Sequence, residues 1–400
     1  MQPRHSETVW VKATLLLVST LTVMAGATIA PSLPAMRQHF AEVPNADYWV
    51  RLVLTVPALF IALGAPIAGT IIDRFGRKRW LALSVFAYGL AGSSGFFLND
   101  IGWILVGRLV LGLSVAGIMT TATTLVADYY LGAARAQFLG VQAAFMALGG
   151  VLFLTLGGYL ADISWRFPFL IYMTAWLLLP LVLLVLPEPV RVSRAEAKAL
   201  AVANPETVPR VLLGATFAIA LLTQIVFYMI PVQLPFYLQQ LSGANGSQSG
   251  LAIALATLAA ASSSLSYQKL KARFTFTAIY ALAFGLMGVG YVVISQASSY
   301  GGVLVGLAIA GLGLGLFTPN MTVCLTSSTP AALRGRILGG LTTSFFFGQF
   351  ISPLVSQPLS QQVGLAATYG LAGGLMLLLG AITLGVMAHW RRLAQRQRLL

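Results

Sequence analysis

The chain has 400 residues, of which 58% are hydrophobic and only 8% are charged, with a formal net charge of +14. Soluble domains carry about 25% charged residues, so the composition excludes an ordinary water-soluble globular protein. The basic excess could suggest a nucleic-acid partner, but the placement of the basic residues favours membrane topology, and we expect no nucleic acid.

Apolar runs long enough to cross a bilayer recur along nearly the whole sequence. A helix needs roughly 20 apolar residues to cross the hydrocarbon core. The predicted runs are 10–34, 49–72, 80–98, 101–127, 138–161, 166–187, 211–238, 249–268, 274–296, 301–325, 337–360 and 365–390. They are continuous and about twice as long as a barrel strand. The sequence therefore predicts an all-α membrane protein with twelve transmembrane helices, the first of which we interpret as retained and not as a signal peptide.

The basic residues orient these helices. Cytoplasmic loops carry an excess of Lys and Arg, and an N-terminus inside the cell places most of the basic residues on the cytoplasmic side, including the cluster Arg74, Arg77, Lys78 and Arg79. Arg37, Arg51 and Arg166 then fall outside, and Arg108 falls within a span. We expect a multi-pass protein of the bacterial inner membrane with both termini cytoplasmic, whose basic loops contact anionic membrane lipids.

A weak internal repeat divides the chain. The polar stretch 188–210 predicts a cytoplasmic linker between a six-helix bundle at 1–187 and another at 211–400. Pro31 and Pro34 correspond to Pro231 and Pro235, and a longer correspondence with constant spacing joins Gly112, Arg135, Gly140 and Gly149 to Gly311, Arg334, Gly339 and Gly348. Two pseudo-symmetric six-helix bundles are an architecture of secondary transporters, whose substrate site lies between the repeats near the bilayer midplane.

The loop after the second run carries a family signature. It reads Gly69, Thr70, Ile71, Ile72, Asp73, Arg74, Phe75, Gly76, Arg77, Lys78. This resembles the signature loop of the major facilitator superfamily, in which a glycine is followed four residues later by an aspartate and then by a glycine and two basic residues. The resemblance implies the major facilitator fold and covers essentially the whole chain in helix count, linker and loop spacing.

The residues of this loop predict a gate. Gly69 would let two helices approach closely, Gly76 would allow a tight turn, and Asp73 can pair with a basic side chain. The resemblance implies that Arg77 and Asp128, at the end of the fourth helix, are partners in this electrostatic latch. The alternative is that these charges anchor the loop at the lipid headgroups.

Two further motifs resemble the drug:proton antiporter branch with twelve helices. Arg108 lies inside the fourth run and is followed by Gly112; an arginine near a helix centre costs roughly 2.5 to 3.5 kcal/mol on insertion scales. Arg108 either tunes protonation or contacts substrate, or it buttresses the bundle through backbone carbonyls. The fifth run contains Gly149, Gly150, Gly157 and Gly158, which favour close packing and a hinge. Phe153 and Leu154 replace the glycine and proline of the antiporter motif.

The acidic residues restrict the coupling mechanism. The ten acids all fall in loops or near predicted helix ends, and none lies in the middle of a span. Proton coupling would therefore depend on helix-end acids such as Asp73 and Asp128, with Arg108 tuning the field. His39, at the outer end of the first helix, is a poor candidate for proton transfer.

Uncharged polar and aromatic groups are the candidates for the substrate cavity. The predicted lining consists of Gln142, Gln224, Tyr228, Gln233, Asn320, Phe346 and Gln349. Aromatic faces with a few amides suit amphipathic organic molecules. With Arg108 as the one clear buried charge, neutral or anionic amphipaths are favoured over strong cations.

These observations favour a secondary transporter that exports small amphipathic organic compounds and is coupled to protons. The alternatives are an exporter or facilitator of a specific metabolite, siderophore, sugar or lipid, and a transporter-like receptor. We find no phosphate-binding loop, metal-spaced histidines or nucleophile with a base, so no enzyme is predicted. Cys324 is the sole cysteine, which excludes a thiolate metal cluster. We expect no cofactor, no metal and a monomer.

Overall fold

The computed structural model describes residues 8–189, 210–330 and 333–397, without the side chains of residues 27, 73, 136 and 390–397. Twelve helical segments are long and apolar enough to cross a membrane; we call them spans 1 to 12. In the first six spans the helices are Val9–Ala27 with Leu33–His39, Ala46–Phe75, Arg77–Phe97, Ile101–Tyr129, Gly132–Ile163, and the 3₁₀ helix Phe167–Leu178 with Leu179–Val185. In the last six they are Arg210–Phe227 with Met229–Ser242, Gly246–Lys271, Phe276–Gln296, Tyr300–Ser327, Arg334–Val363 and Leu365–Gln397.

The predicted twelve-helix fold is confirmed, and no strand is found in the described ranges. Most predicted ends agree within a few residues, but span 5 begins at Gly132 and not near 138. Hydropathy locates the hydrocarbon-length part of a helix, whereas the polar first turn of span 5 extends beyond it. Polar side chains cap several helices: Asp100 accepts from the backbone N–H of Trp103, and Asn245 forms a capping box with Gln248.

Span contacts repeat between the two halves of the chain. In the first half, span 4 packs on spans 2 and 3, span 3 packs on span 6, and span 1 packs on span 5. The second half has the same pairs six spans later: 10 with 8 and 9, 9 with 12, and 7 with 11. The main contacts between the halves are span 5 with span 8 and span 2 with span 11, which are also exchanged by the repeat. The molecule is thus two pseudo-symmetric six-helix bundles.

Spans 1 and 7 are both interrupted near their middles. The helix of span 1 ends at Ala27 and resumes through a 3₁₀ turn at Ala30–Ser32, whereas span 7 is interrupted at Tyr228. Prolines follow each break, as the repeat of Pro31 and Pro231 predicts. Proline removes a backbone donor and leaves carbonyls of the preceding turn without their helical partners.

Buried tyrosine pairs stabilise both breaks. In the first half, Tyr88 and Tyr172 donate to the carbonyls of Leu21 and Ala25 in span 1. In the second half, Tyr291 and Tyr369 donate to the carbonyls of Val226 and Met229 in span 7. The ring centroids are 5.6 Å apart in the first pair and 5.5 Å in the second, and both interplanar angles are 52°. The repeat therefore extends to side-chain geometry.

The two ends of the bundle differ. At the end that holds Asp47, Asp162 and Asn245, side chains and backbone of the two halves are in direct contact; we call it the closed face. At the opposite end, which holds Gly76, Tyr130 and Arg334, the halves are separated. There, apart from each glycine's own stretch of helix, no described heavy atom lies within 4 Å of the position that a Cβ would take at Gly69, Gly140, Gly335 or Gly339. We call this end the open face.

Candidate functional site

A cavity of about 330 Å³ lies between the halves where the two interrupted spans meet. Spans 1, 2, 4 and 5 line it from one half, and spans 7, 8 and 11 line it from the other. A second cavity of about 300 Å³ shares Phe227 and Thr257 with the first. Since Ala143 and Leu265 line the second cavity, it lies toward the open face. The two cavities therefore adjoin each other and extend from the centre of the molecule toward the open face.

Arg108 is buried behind this cavity. Its side chain is 0% exposed; Nε donates to the carbonyl of Val53 at 3.0 Å, and Nη2 donates to the hydroxyl of Tyr172 at 2.8 Å. The guanidinium also lies 4.9 Å from the Tyr172 ring centroid and 5.4 Å from that of Phe169. Backbone and aromatic partners thus replace a counterion and connect spans 2, 4 and 6 with the break in span 1.

Arg51 joins the halves at the closed face. It is 4% exposed, and its Nε donates to Oε1 of Gln233 in span 7 at 3.0 Å. The guanidinium lies 3.9 Å from the ring centroid of Phe236, also in span 7. On its own half it contacts Asp47, whose carboxylate lies 3.5 Å from Nη1 and 2.9 Å from Nε of Arg37. Burial of this cation therefore depends on both halves.

Gln233 extends this contact to span 11. Its amide nitrogen lies 3.1 Å from the Ser356 hydroxyl and 3.1 Å from the Gln357 side-chain oxygen, and the amide is completely buried. A buried polar network is stable only when its members are all paired. Separation of the halves here would break the Arg51–Gln233 bond and leave a buried polar group on each side without that partner.

Asp162 makes a second contact at the closed face. At the end of span 5, its carboxylate accepts from the backbone N–H of Gly246 at 2.6 Å and of Ser247 at 3.1 Å, and also from the Ser247 hydroxyl. A carboxylate is favourable at the N-terminus of a helix, here span 8 of the other half. Close helix approach supports this contact: a Cβ at Gly158 would lie 2.6 Å from the carbonyl oxygen of Gly246.

The open face carries a charged cluster within the first half. Nε of Arg77 donates to Asp128 at 2.8 Å, which makes the ion pair that the signature loop implies. Glu188 accepts from the backbone N–H groups of Arg77 at 2.7 Å and Lys78 at 2.9 Å, so it caps the helix of span 3. The Tyr129 hydroxyl donates to the carbonyl of Pro187. The chain that follows span 6 is thus attached to the signature loop.

At the predicted gate, the structure agrees with the tight turn at Gly76 but not with the close helix approach at Gly69. Gly76 has φ of 91° and ψ of 156°, a conformation that favours glycine, in the predicted tight turn. The side chain of Asp73 lies outside the described atoms, as do linker residues 190–209. Gly69 has no described neighbour within 4 Å of a Cβ position. The close approach predicted there is absent from this conformation, because the halves are apart at the open face.

The predicted cavity lining is divided by the structure. Tyr228, Phe346 and Gln349 line the central cavity, and Gln224 lines the second one. The Gln349 amide nitrogen lies 3.3 Å from the Gln224 side-chain oxygen. The predicted placement of these four residues at a cavity therefore agrees with the structure.

Gln142, Gln233 and Asn320 are absent from the described linings of both cavities, contrary to expectation. Gln142 donates to the Ser19 hydroxyl at 2.6 Å, and Gln233 belongs to the closed-face network. Asn320 is fully buried between Tyr267 and the carbonyl of Phe276. Each amide is directed to a neighbouring helix, because a buried amide must first satisfy its own hydrogen bonds.

The predicted packing glycines approach other helices closely. A Cβ at Gly112 would lie 2.5 Å from the carbonyl oxygen of Pro57 in span 2, and one at Gly149 would lie 3.1 Å from the Thr20 side chain in span 1. Gly150 and Gly157 likewise face Val23 and Thr28 in span 1. Gly149, Gly150 and Gly157 therefore form the seam of span 5 on span 1. Gly158 contacts the other half, and a Cβ at Gly150 would also lie 3.6 Å from the Thr257 side chain of span 8.

Sequence reasoning missed Arg51, Asp162, Tyr172 and Glu188. Arg51 was counted among the basic residues of the outer side, within the run 49–72, and the structure shows that it is buried in the second turn of span 2. Its signal in the sequence was the pair Asp47 and Arg51, four residues apart and thus on one helix face. Asp162 and Glu188 directly follow or end apolar runs, where an acid can cap a neighbouring helix.

Comparison with known proteins places the chain among membrane carriers. The family model described as "Major Facilitator Superfamily" matches residues 15–353, and a further match covers 216–399. The chain is 27% identical over 334 residues to the 3-(3-hydroxy-phenyl)propionate transporter of Escherichia coli strain K12, covering 81% of this chain and 77% of that protein.

Other matches are shorter. The chain is 28% identical over 144 residues to the niacin transporter of Acinetobacter baylyi, covering 36% of this chain but 32% of the relative. It is 28% identical over 185 residues to multidrug resistance protein 1 of Bacillus subtilis, covering 44% and 46%. In both cases the matched region spans less than half of the relative. Among solved structures, a nucleoside transporter has a TM-score of 0.75 at 11% identity, covering 94% of this chain and 99% of that chain.

Proposed function

The chain belongs to the major facilitator superfamily of membrane transporters, and on that basis we propose that it exports small amphipathic organic compounds by alternating access, driven by the proton gradient. One observation carries the proposal: a central cavity between the halves is closed at one face and continues toward the other. A carrier needs such a state, and rocking of the halves produces the opposite one.

The direction of the open face is part of the proposal. Most basic residues at helix ends lie there, including Arg77, Arg135, Lys271 and Arg334, whereas Arg37, Arg51 and Arg166 lie at the closed face. Basic residues favour the cytoplasmic side. We therefore place the open face and both termini in the cytoplasm of a bacterial cell, with the protein in the inner membrane as a monomer of two bundles, 1–187 and 211–400, joined by the linker 188–210.

Coupling to protons is proposed at the helix-end acids. In the described parts of the spans, the carboxylates lie near helix ends and none lines the central cavity. Asp128 pairs with Arg77 in the described conformation, which is open at this face, and Asp73 lies in the same loop. Protonation that weakens this cluster, with Arg108 setting the local field, would link the conformation to the proton gradient. Gly69 and Gly76 then belong to the moving gate.

The multidrug resistance relative supports export of varied compounds, whereas the relative that matches 81% of this chain is named as a transporter of one aromatic acid. A carrier of a specific aromatic metabolite is therefore the second candidate. Purified protein in proteoliposomes loaded with a panel of amphipathic compounds separates the two. A multidrug exporter would move several unrelated compounds, whereas a specific carrier would move one and be inhibited by its analogues.

The same proteoliposomes test coupling. Efflux should increase when the pH gradient is imposed and should fall to the passive rate when an ionophore removes it. Efflux that ignores the gradient would contradict proton coupling. If no compound in the panel moves faster than in protein-free vesicles, the proposed export function is wrong.

A further inference from the structure

The walls of the central cavity carry no charge among the described residues that line it. The lining is mainly aliphatic and aromatic, represented by Leu54, Met119, Met146, Phe227, Ile253 and Phe346. Thr22, Thr257, Tyr228 and Gln349 supply the polar side chains. A charged solute would lose its hydration here and gain no counterion, which is costly in a medium of low dielectric constant.

The nearest buried cations do not compensate. Two of the three nitrogens of the Arg108 guanidinium donate to Val53 and Tyr172, and the remaining one, Nη1, is buried and has no partner among the described residues. Arg51 is occupied at the closed face by Gln233 and Asp47. Neither arginine lines the cavity. The two buried arginines therefore give no reason to expect an anionic solute in this cavity.

One hydroxyl in the cavity wall has no partner. Tyr228 is 7% exposed, lies at the break in span 7, and lines the cavity. A Cβ at Gly26, beside the break in span 1, would lie 2.7 Å from its Oη. In the described part of the chain, this hydroxyl makes no hydrogen bond, in contrast to Tyr172, Tyr291 and Tyr369. A buried donor without a partner is costly unless a ligand or water pairs with it.

We propose that the central cavity selects uncharged, largely apolar solutes that carry a hydrogen-bond acceptor, and that the Tyr228 hydroxyl donates to this acceptor. The inference rests on the proposed transport function and specifies its cargo. Both interrupted spans meet at this hydroxyl, so the same contact positions the solute where the halves join. Gly26 leaves the space that the hydroxyl and the acceptor need.

Four compounds that share a core of two phenyl rings on one bridging carbon test the selection. Benzophenone is neutral and has a carbonyl acceptor; diphenylmethane has the same two rings without it. 4-Benzoylbenzoate and (4-benzoylbenzyl)trimethylammonium add a negative and a positive charge. Under ultraviolet light the three ketones insert into nearby C–H bonds, so mass spectrometry reports where each binds in the full-length protein. Labelling at Met119 and Met146 is divided by labelling at Leu83 and Leu90, which are 54% and 58% exposed on span 3. This ratio corrects for partition into detergent.

We expect neutral benzophenone to label the cavity at least about tenfold more than either charged ketone. Tyr228→Phe should weaken this labelling about fivefold, the effect of one lost hydrogen bond. Diphenylmethane should compete with benzophenone for the cavity with the same inhibition constant in that variant as in the unchanged protein, because it has no acceptor. Tyr237→Phe is the matched control: it lies on the same span, and its hydroxyl bonds to the carbonyl of Ile294 away from the cavity. It should lower the melting temperature without altering labelling.

Each outcome decides the inference separately from the proposed function. Equal or stronger cavity labelling by a charged ketone overturns it, as does labelling by no ketone or an unchanged labelling in Tyr228→Phe. If the cationic ketone is both bound and exported from proteoliposomes, the export function stands and the selection is wrong. If benzophenone labels the cavity through Tyr228 but no compound is exported, the selection stands and the export function is wrong.

Discussion

The guanidinium of Arg51 in span 2 donates to the side-chain amide of Gln233 in span 7 at 3.0 Å, and this bond crosses the boundary between the two halves. In the conformation that is open at the opposite face, a buried cation is thus shared by both bundles. When the halves separate at this face, water must replace Gln233 and Phe236 around Arg51.

Arg51→Gln should therefore shift the protein toward the state that is open at the Asp47 face. Hydrogen bonds to charged groups contribute roughly 1.5 to 3 kcal/mol, so we expect about a tenfold rise in that population. Spin labels at Tyr48 and Gln361, whose side chains meet at 3.3 Å across the halves, would report it by pulsed electron resonance in a Cys324→Ser background. Arg37→Gln is the control, since Arg37 also pairs with Asp47 but makes no described hydrogen bond or ion pair with the second half. Equal distance distributions in both variants would show that the Arg51–Gln233 bond does not hold the closed face together.

Asp162→Asn should weaken the same face through span 8. The amide retains an acceptor but loses the charge that stabilises the helix N-terminus, an effect of about 0.3 to 1 kcal/mol near the surface. Asp100→Asn removes a comparable charge from a cap within the first half. Both variants should lower the melting temperature, but only Asp162→Asn should lengthen the Tyr48–Gln361 spin-label distance. A similar lengthening in Asp100→Asn would show that general loosening, and not the contact between halves, is responsible.

Asp128→Asn and Arg77→Gln should each reduce transport by about tenfold or more while leaving the fold intact. The pair is partly exposed, and such pairs contribute about 0 to 1 kcal/mol to stability. The exchange Arg77→Asp with Asp128→Arg tests the pairing itself and should recover part of the transport rate in proteoliposomes. Transport that survives both single changes at full rate would remove this ion pair from the mechanism.

Tyr172→Phe should destabilise the protein more than Tyr369→Phe. Each change removes a hydroxyl that bonds a carbonyl at an interrupted span, which is worth about 1 kcal/mol. Only the Tyr172 hydroxyl also accepts a hydrogen bond from Arg108. Without this hydroxyl the buried guanidinium has one partner fewer, which adds a destabilisation of about 1 to 3 kcal/mol. Thermal unfolding in detergent measures the difference. Equal melting temperatures would mean that Arg108 finds another partner.

Periodic patterns predicted the fold well because the bilayer imposes them. Continuous apolar runs, basic loops and the repeat of Gly112, Gly140 and Gly149 depend only on local composition and spacing. Constant spacing does not reveal the repeat of the tyrosine pairs. Tyr88 and Tyr172 lie at unequal offsets from Tyr291 and Tyr369, and each pair comes together only through packing of spans 3 and 6 or of spans 9 and 12.

The candidate site was predicted in part. Tyr228 and Gln349 were identified from polarity within an apolar run, but the same rule also selected Gln233 and Asn320. A sequence pattern does not show which side of a helix faces a cavity and which faces another helix. Arg51 was missed because a charge near the end of an apolar run resembles a topology signal. Only the packing of span 7 reveals that this arginine is buried.

The uncharged cavity wall also has an electrical consequence. A membrane potential performs work of roughly 2.3 kcal/mol per 100 mV on each elementary charge that crosses the bilayer. If wall and cargo are both neutral, loading the carrier adds no charge to the moving unit. The current recorded during turnover would then count only the coupling ions, and its ratio to cargo flux would give the stoichiometry directly.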